Sequence, residues 1–277
     1  MWRFQRNRIN GKLFIPSVLL FGFSMARILT CILRIVWATM HDAASTALAA
    51  QIFVNAGILV VYIINLLFAQ RILRALQPTI GWNKGLRIVF KVLYALLGCS
   101  LILIIVLIVY GSYTLSPSFH SAQMWVLRGT SLYLLIFTAL PLFLVPLATL
   151  LPRNDSAETF GEGSMTTKAI IVLTSSCLCT LLAGFRMGTT WATPRPISDP
   201  AWYHSKAAFY CFNFLIEVLV LSLYTYATRP DKRFHVPNGS SKRKSYAIPE
   251  RQGSESDAGT AESDTEKKDS DLSGAQA

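Results

Sequence analysis

An arginine in the middle of an apolar run is what most constrains this chain. The run Leu13–Met40 reads LFIPSVLLFGFSMARILTCILRIVWATM, with Arg27 near its middle and Arg34 one heptad later. A membrane span needs roughly 20 mostly apolar residues, which this run exceeds. A charge near the bilayer centre costs roughly 2.5–3.5 kcal/mol on insertion scales. Such an arginine must face protein or water rather than lipid, and that requires other helices around it. The first run is therefore expected to be the one on which the rest of the chain is organised.

Five more apolar runs follow, at about Thr46–Ala69, Leu86–Tyr110, Met124–Leu151, Thr167–Thr190 and Tyr203–Thr228. Each is longer than a strand, and a helix satisfies its own backbone in lipid. The expected fold class is an all-α membrane protein with six transmembrane helices spanning residues 13–228. A basic stretch, residues 1–12, precedes the bundle, and a disordered tail, residues 229–277, follows it. Charged residues make up 15% of the chain, against about 25% in soluble domains, which fits burial in lipid. The net charge of +11 does not form one patch, so nucleic acid is not an expected partner. A cleaved signal peptide is not expected either, because the first run is longer than the ~7–15 residues of a signal's apolar region and contains arginines.

The basic residues set the orientation. Arg3, Arg6, Arg8 and Lys12 precede the first run, and Arg71, Arg74, Lys84 and Arg87 flank the second connection. The connections His41–Ala43 and Gly111–Gln123 carry no lysine or arginine. Arg153 and Lys168 mark the next connection, Arg195 and Lys206 the one after it, and Arg229, Lys232 and Arg233 open the tail. This alternation predicts cytoplasmic termini. Two glycosylation acceptors, Asn154-Asp-Ser156 and Asn238-Gly-Ser240, then fall on the cytoplasmic side and stay unmodified. The tail has no apolar period, and its acidic strings, Ser254-Glu-Ser-Asp and Ser263-Asp-Thr-Glu, suit acid-directed kinases. It is also open to a cytoplasmic partner.

The expected intramembrane polar site comprises Arg27, Arg34, Asn55, Asn213 and Glu217. Arg27 and Glu217 lie at similar depth with opposite charge, so each relieves the other if the first and sixth spans are neighbours. Such a pair either fixes helix packing or lines a cavity for a ligand, ion or proton. Gln51 and Asn55, four residues apart, share a helix face and read first as packing contacts. Pro141 and Pro146 are expected to kink or open the fourth span. Arg186 stands near the end of the fifth and is expected to snorkel. The following loop, with Trp191, Pro194, Arg195, Pro196 and Trp202, reads as an interfacial aromatic belt or a rigid exoplasmic lid.

Cys31, Cys99, Cys177, Cys179 and Cys211 all sit inside apolar runs and are expected to pack rather than to pair. His41, His120, His204 and His235 show no metal-ligand spacing. There is no phosphate-binding glycine loop, no Gly-x-Ser-x-Gly and no His-Glu-x-x-His. No enzyme activity, cofactor or metal is expected.

Four stretches together carry a family resemblance: KLFIPSVLLFGFSMARILTCILRIVWA (Lys12–Ala38), AAQIFVNAGILVVYIINLLFAQRILRA (Ala49–Ala75), GFRMGTTWATPRP (Gly184–Pro196) and PAWYHSKAAFYCFNFLIEV (Pro200–Val218). They resemble a fungal family of seven-helix membrane proteins of no established function, some of whose members are labelled family C-like G-protein-coupled receptors. The resemblance runs from about Arg6 to Pro237. It implies one further span before Arg6, so that the chain reads as six of an original seven helices. More distantly, the architecture is similar to the fungal lipid-translocating exporters. No Asp/Glu-Arg-Tyr, Asn-Pro-x-x-Tyr or paired extracellular cysteines support a receptor from residues. The expectation is a receptor-like or sensory membrane protein, with a transporter or lipid-handling protein and a membrane scaffold as alternatives.

Overall fold

A computed structural model describes residues 14–39, 44–114, 116–152, 158–193, 201–227, 230–237 and 240–246. The chain divides into Met1–Tyr246 and Ala247–Ala277, and every described residue belongs to the first unit. Five long helices come first: α1 (Ile15–Thr39), α2 (Ala44–Leu76), then, after the short α3 (Pro78–Gly81), α4 (Lys84–Tyr113), α5 (Pro117–Leu150) and α6 (Met165–Trp191). The sixth span is composite. It runs through α7 (Lys206–Phe209), a π-helical stretch Tyr210–Leu215, α8 (Ile216–Ser222) and a second π stretch Leu223–Ala227. Two short helices, α9 (Pro230–Arg233) and α10 (Ser240–Arg243), follow it.

Among the described residues, 6 helices are long and apolar enough to cross a membrane. The chain is a multi-pass integral membrane protein of the expected all-α class. The boundaries differ from expectation mainly by extension: α2 continues past Ala69 to Leu76, and α5 starts at Pro117. Proline suits that first-turn position, where its missing N–H has no helical acceptor. Asn83 accepts a hydrogen bond from the Gly85 amide at the start of α4, Ser164 from Thr167 at 3.2 Å in α6, and Ser205 from Ala208 at 3.1 Å in the sixth span. These side chains satisfy helix-start donors that have no partner within the helix.

The helices gather on α2, not on α1. In α2, 61% of the apolar window is buried, against 17% in α1 and 22% in α4. It packs against α1, α4, α5 and α6. Apolarity does not select the centre, because lipid tails are as apolar as leucine. The more apolar α4 turns Ile88, Val92, Ile102 and Val106 outward. Amides at several heights distinguish α2, since each needs a protein partner. Asn65 is the deepest of them, 2% exposed. Its carbonyl accepts from the hydroxyl of Ser175 at 2.7 Å and from that of Tyr224, while its amide donates to the Cys179 sulfur at 3.2 Å. One side chain thus joins α2, α6 and the sixth span. Cys179 is buried, but Cys31, Cys99, Cys177 and Cys211 are exposed on helix faces turned away from the protein, which corrects the expectation that all five pack inside.

The expected opening of α5 at Pro141 and Pro146 is not found, since the helix runs unbroken from Pro117 to Leu150. Backbone irregularity lies in the sixth span instead, which contains no internal proline.

The end of the bundle rich in arginine and lysine is capped by aromatic rings. Phe68 stacks on Phe234 at 4.2 Å and meets Tyr224 edge-on at 5.6 Å. Arg71 donates to the Phe234 carbonyl and Lys168 to that of Phe160. Both cations, expected in loops, are in helices and turned inward, where their stems pack and their charged heads meet carbonyls. Phe234 and Tyr246 are 0% and 3% exposed, so the chain stays packed on the bundle after Arg229, where the tail was expected to begin.

Replacing Asn65 by alanine removes the acceptor that two buried hydroxyls share and is expected to cost about 1–3 kcal/mol. Tyr224→Phe removes one of those hydroxyls and should cost about 0.6–1.7 kcal/mol, the range for interhelical bonds in membranes. Thermal unfolding of the purified variants in detergent checks both the size and the order.

Candidate functional site

Arg27 and Glu217 meet as their depths require. The guanidinium Nη2 donates to Oε1 at 2.7 Å, and Nε stands 2.6 Å from Oε2 as an ion pair. Nη2 also donates to the Val54 carbonyl of α2 at 3.1 Å. The two side chains are 11% and 3% exposed. A hydrogen bond between two charged groups is shorter and stronger than one between neutral groups. The pair links α1 to the sixth span, with α2 between them as the third contact.

Gly57 makes the approach possible. A Cβ placed there would stand 3.1 Å from Cζ of Arg27 and 3.2 Å from Nη2. The glycine, one turn beyond Val54 on α2, is the floor on which the guanidinium lies. Phe23 and Phe214 approach that guanidinium at 5.2 and 5.8 Å from their ring centroids.

Arg34 does not join the pair. Its guanidinium lies 4.3 Å from the Phe209 ring centroid, with Tyr210 at 5.6 Å and Phe214 at 5.8 Å. Asn55 and Asn213 are instead brought together by Arg186, whose Nε donates to Asn213 Oδ1 at 2.8 Å and whose Nη1 donates to Asn55 Oδ1 at 3.2 Å. Each amide's nitrogen is fixed in turn, Asn55 on the Gln51 carbonyl at 2.9 Å and Asn213 on the Phe209 carbonyl at 3.1 Å. Arg186 thus turns into the bundle rather than snorkelling outward. Proximity in sequence to a helix end hid this, because the inward amides come from two distant helices.

A cavity of about 390 Å³ opens beside these groups, lined by Gln51, Asn55, Arg186, Tyr203 and Asn213 among others. Val54 and Phe209 also line it. The cavity wall therefore includes the residues that hold Arg27, Arg34 and Arg186. Arg186 is the charged side chain among the described lining residues, and it is held by two neutral amides, whereas Arg27 and Arg34 lie behind the wall, one on Glu217 and the other on ring faces. Arg186 is within electrostatic reach of both members of the ion pair. The π-helical stretch Tyr210–Leu215 holds Asn213 and ends just before Glu217. Wide turns of this type recur at functional sites.

Trp191 closes α6 and donates from its indole to the Arg128 carbonyl at 3.3 Å. The Arg128 guanidinium in turn lies 5.2 and 5.9 Å from the Trp125 and Trp191 centroids. Trp202, in a 3-10 turn (Trp202–His204), stands near Phe185 and Phe212 at 6.4 and 6.3 Å. Pro194, Arg195 and Pro196 lie outside the described residues, as do Asn154 and Asn238 of the two acceptor sequences. A larger cleft of about 590 Å³, between α2, α5 and α6 at the basic end, has no charged side chain among its described lining residues.

The family model described as "Protein of unknown function (DUF3112)" matches residues 162–235. That range carries Arg186, Asn213 and Glu217, but neither Arg27 nor Asn55. No curated protein and no solved structure gives a match.

Valine at position 57 would collide with a guanidinium already held in place, and overpacking of this kind costs about 1–3 kcal/mol. Gly57→Ala also gains helix propensity of about 0.8–1.0 kcal/mol, which offsets most of its crowding. Gly57→Val is therefore expected to lower the unfolding temperature while Gly57→Ala leaves it nearly unchanged. The valine cost should shrink in an Arg27→Ala background.

Proposed function

We propose that the protein recognises a small anionic ligand within the membrane, in the cavity between α2, α6 and the sixth span, and acts as a sensor of it. The observation that carries the reading is Arg186 in the wall of that cavity, held by the neutral amides of Asn55 and Asn213 rather than by a carboxylate. Uncompensated cations are costly in lipid and are found where they meet a counter-charge. Guanidinium groups suit carboxylate and phosphate, which they bind through paired N–H donors. Sensing is favoured over passage because the far end of the bundle is packed with Phe14, Phe68, Tyr224 and Phe234, each at most 1% exposed. The resemblance to seven-helix proteins with a receptor label agrees with this reading.

A second reading, transport of the same anion, is supported by the π stretches on both sides of α8, which give the sixth span two places to bend. The two readings separate on the tail. Sensing requires the chain after Lys242 for output, whereas transport tolerates its deletion and fails on loss of Arg27 or Glu217.

The ligand test uses purified protein in detergent with inorganic phosphate, sulfate and acetate added singly. A ligand bound at 100 times its Kd raises stability by about 2.7 kcal/mol. At least one of these anions should raise the unfolding temperature of the parent chain, and Arg186→Gln should remove the shift. Equal stabilisation of parent and Arg186→Gln would exclude the site.

The basic end is proposed to face the cytoplasm, following the lysine and arginine distribution. In a background without native cysteines, Ser116→Cys should react with a membrane-impermeant maleimide on sealed cells and Ser164→Cys should not. The reverse pattern, or glycosylation of Asn154 or Asn238, would invert the topology.

A further inference from the structure

Residues 230–237 and 240–246 lie across the basic end of the bundle as a strap, anchored at two aromatic points. Phe234 packs on Phe68 of α2, and backbone contact beside it is close: Gly161, at φ +59°, takes a conformation suited to glycine, and a Cβ on it would overlap the Arg233 carbonyl. The Glu162 amide donates to the Lys232 carbonyl at 3.1 Å. The second point is Tyr246, whose ring stands 5.5 Å from both Trp82 and Phe160.

Glu158 holds this second point. Its Oε1 accepts from the Ser245 hydroxyl at 2.6 Å, and its Oε2 accepts from the Tyr246 amide. Its own amide donates to the Ala75 carbonyl at the end of α2 at 2.9 Å, so the residue that carries the carboxylate is anchored to α2 by its backbone. Ser245 directly follows Lys242-Arg243-Lys244. Arg243 and Lys244 are exposed, and Lys244 turns the backbone at φ +56°.

We propose that Ser245 is a phosphorylation site for a kinase that recognises basic residues ahead of its target serine, and that its modification releases the strap. The Ser245 oxygen would attack the γ-phosphorus of a nucleoside triphosphate. Its proton passes to the kinase's base, a new phosphorus–oxygen bond forms, and nucleoside diphosphate leaves with the electron pair of the bond that breaks. The serine that donated to Glu158 then has no proton to give. In its place stands a group of about −1.5 to −2 charge facing a carboxylate, a like-charge arrangement that disrupts a packed contact. Lys244, exposed beside Ser245, lies on the strap itself rather than on the bundle. The kinase reaches Ser245 through local opening of the segment. Access in a cell rests on the cytoplasmic orientation proposed above, whereas the chemistry of the site does not.

The test uses the purified full chain in detergent, where both ends are open to enzyme. The chain is incubated with the catalytic subunit of a basic-directed serine kinase and ATP. Mass spectrometry should find phosphate on Ser245 and none there in Ser245→Ala. Hydrogen exchange of residues 234–246 should then quicken about tenfold or more on phosphorylation, a population shift of the size that one added charge pair produces. Glu158→Gln keeps an acceptor but not the charge, so phosphorylation should speed exchange less in that variant. Labelling confined to other serines, or unchanged exchange with Ser245 phosphorylated, would overturn the proposal. Orientation is read separately from the maleimide pattern, so failure of that reading is distinguishable.

Discussion

A charge inside an apolar helix has to be answered by another helix, and the Arg27–Glu217 pair is that answer here. Neither residue is tolerable alone at its depth, so the first span and the last must meet, although 190 residues separate the two side chains. The ion pair is not an independent source of stability, because desolvation offsets much of its attraction. Its effect is specificity of arrangement: it fixes which helices are neighbours and at what height. Val54 and Gly57 of α2 complete the constraint, one by accepting a hydrogen bond and the other by leaving room.

The remaining polar contacts are ordered along the same axis. Arg186 with Asn55 and Asn213 forms a layer beside the cavity, and Asn65 with Ser175, Tyr224 and Cys179 forms a closed layer deeper in the bundle. The aromatic cap and strap close the basic end. The bundle therefore grades from an end with an open polar cavity to a sealed basic end that holds a modifiable segment of chain. A ligand that drew Arg186 from its amides would act on α2, α6 and the sixth span together, and α2 also carries Phe68 and Arg71, against which the strap is seated. Tyr246 is buried enough that its phenol is pushed above the ordinary tyrosine value, against the pull of Arg74 and Arg71, so it sits neutral in its place.

Segments, helical class and the Arg27–Glu217 contact were legible in the sequence because apolar length and isolated charges leave little freedom in lipid. The central role of α2 was not. Apolarity drew attention to a charged first span, whereas small and amide residues at several heights decide which helix is surrounded. Arg186 was misread for a related reason. Five residues from the end of α6 it could turn either way, and the positions of Asn55 and Asn213, both held by local backbone bonds, direct it inward. The packed strap was hidden by its polar composition, since Phe234 and Tyr246 are isolated aromatics with no period. The π stretches left no sequence signal, whereas the prolines of α5 do not interrupt its helix.

The central claim is that Arg27 and Glu217 are held by each other rather than by separate surroundings. Exchanging them tests it most directly: the unfolding temperature of Arg27→Glu/Glu217→Arg is compared with those of the two single variants. Each single change buries a pair of like charges and is expected to cost about 3–5 kcal/mol or to prevent folding. The double exchange should recover most of that loss. A double variant no more stable than either single one would show that the two residues do not depend on each other, and the arrangement described here would not stand.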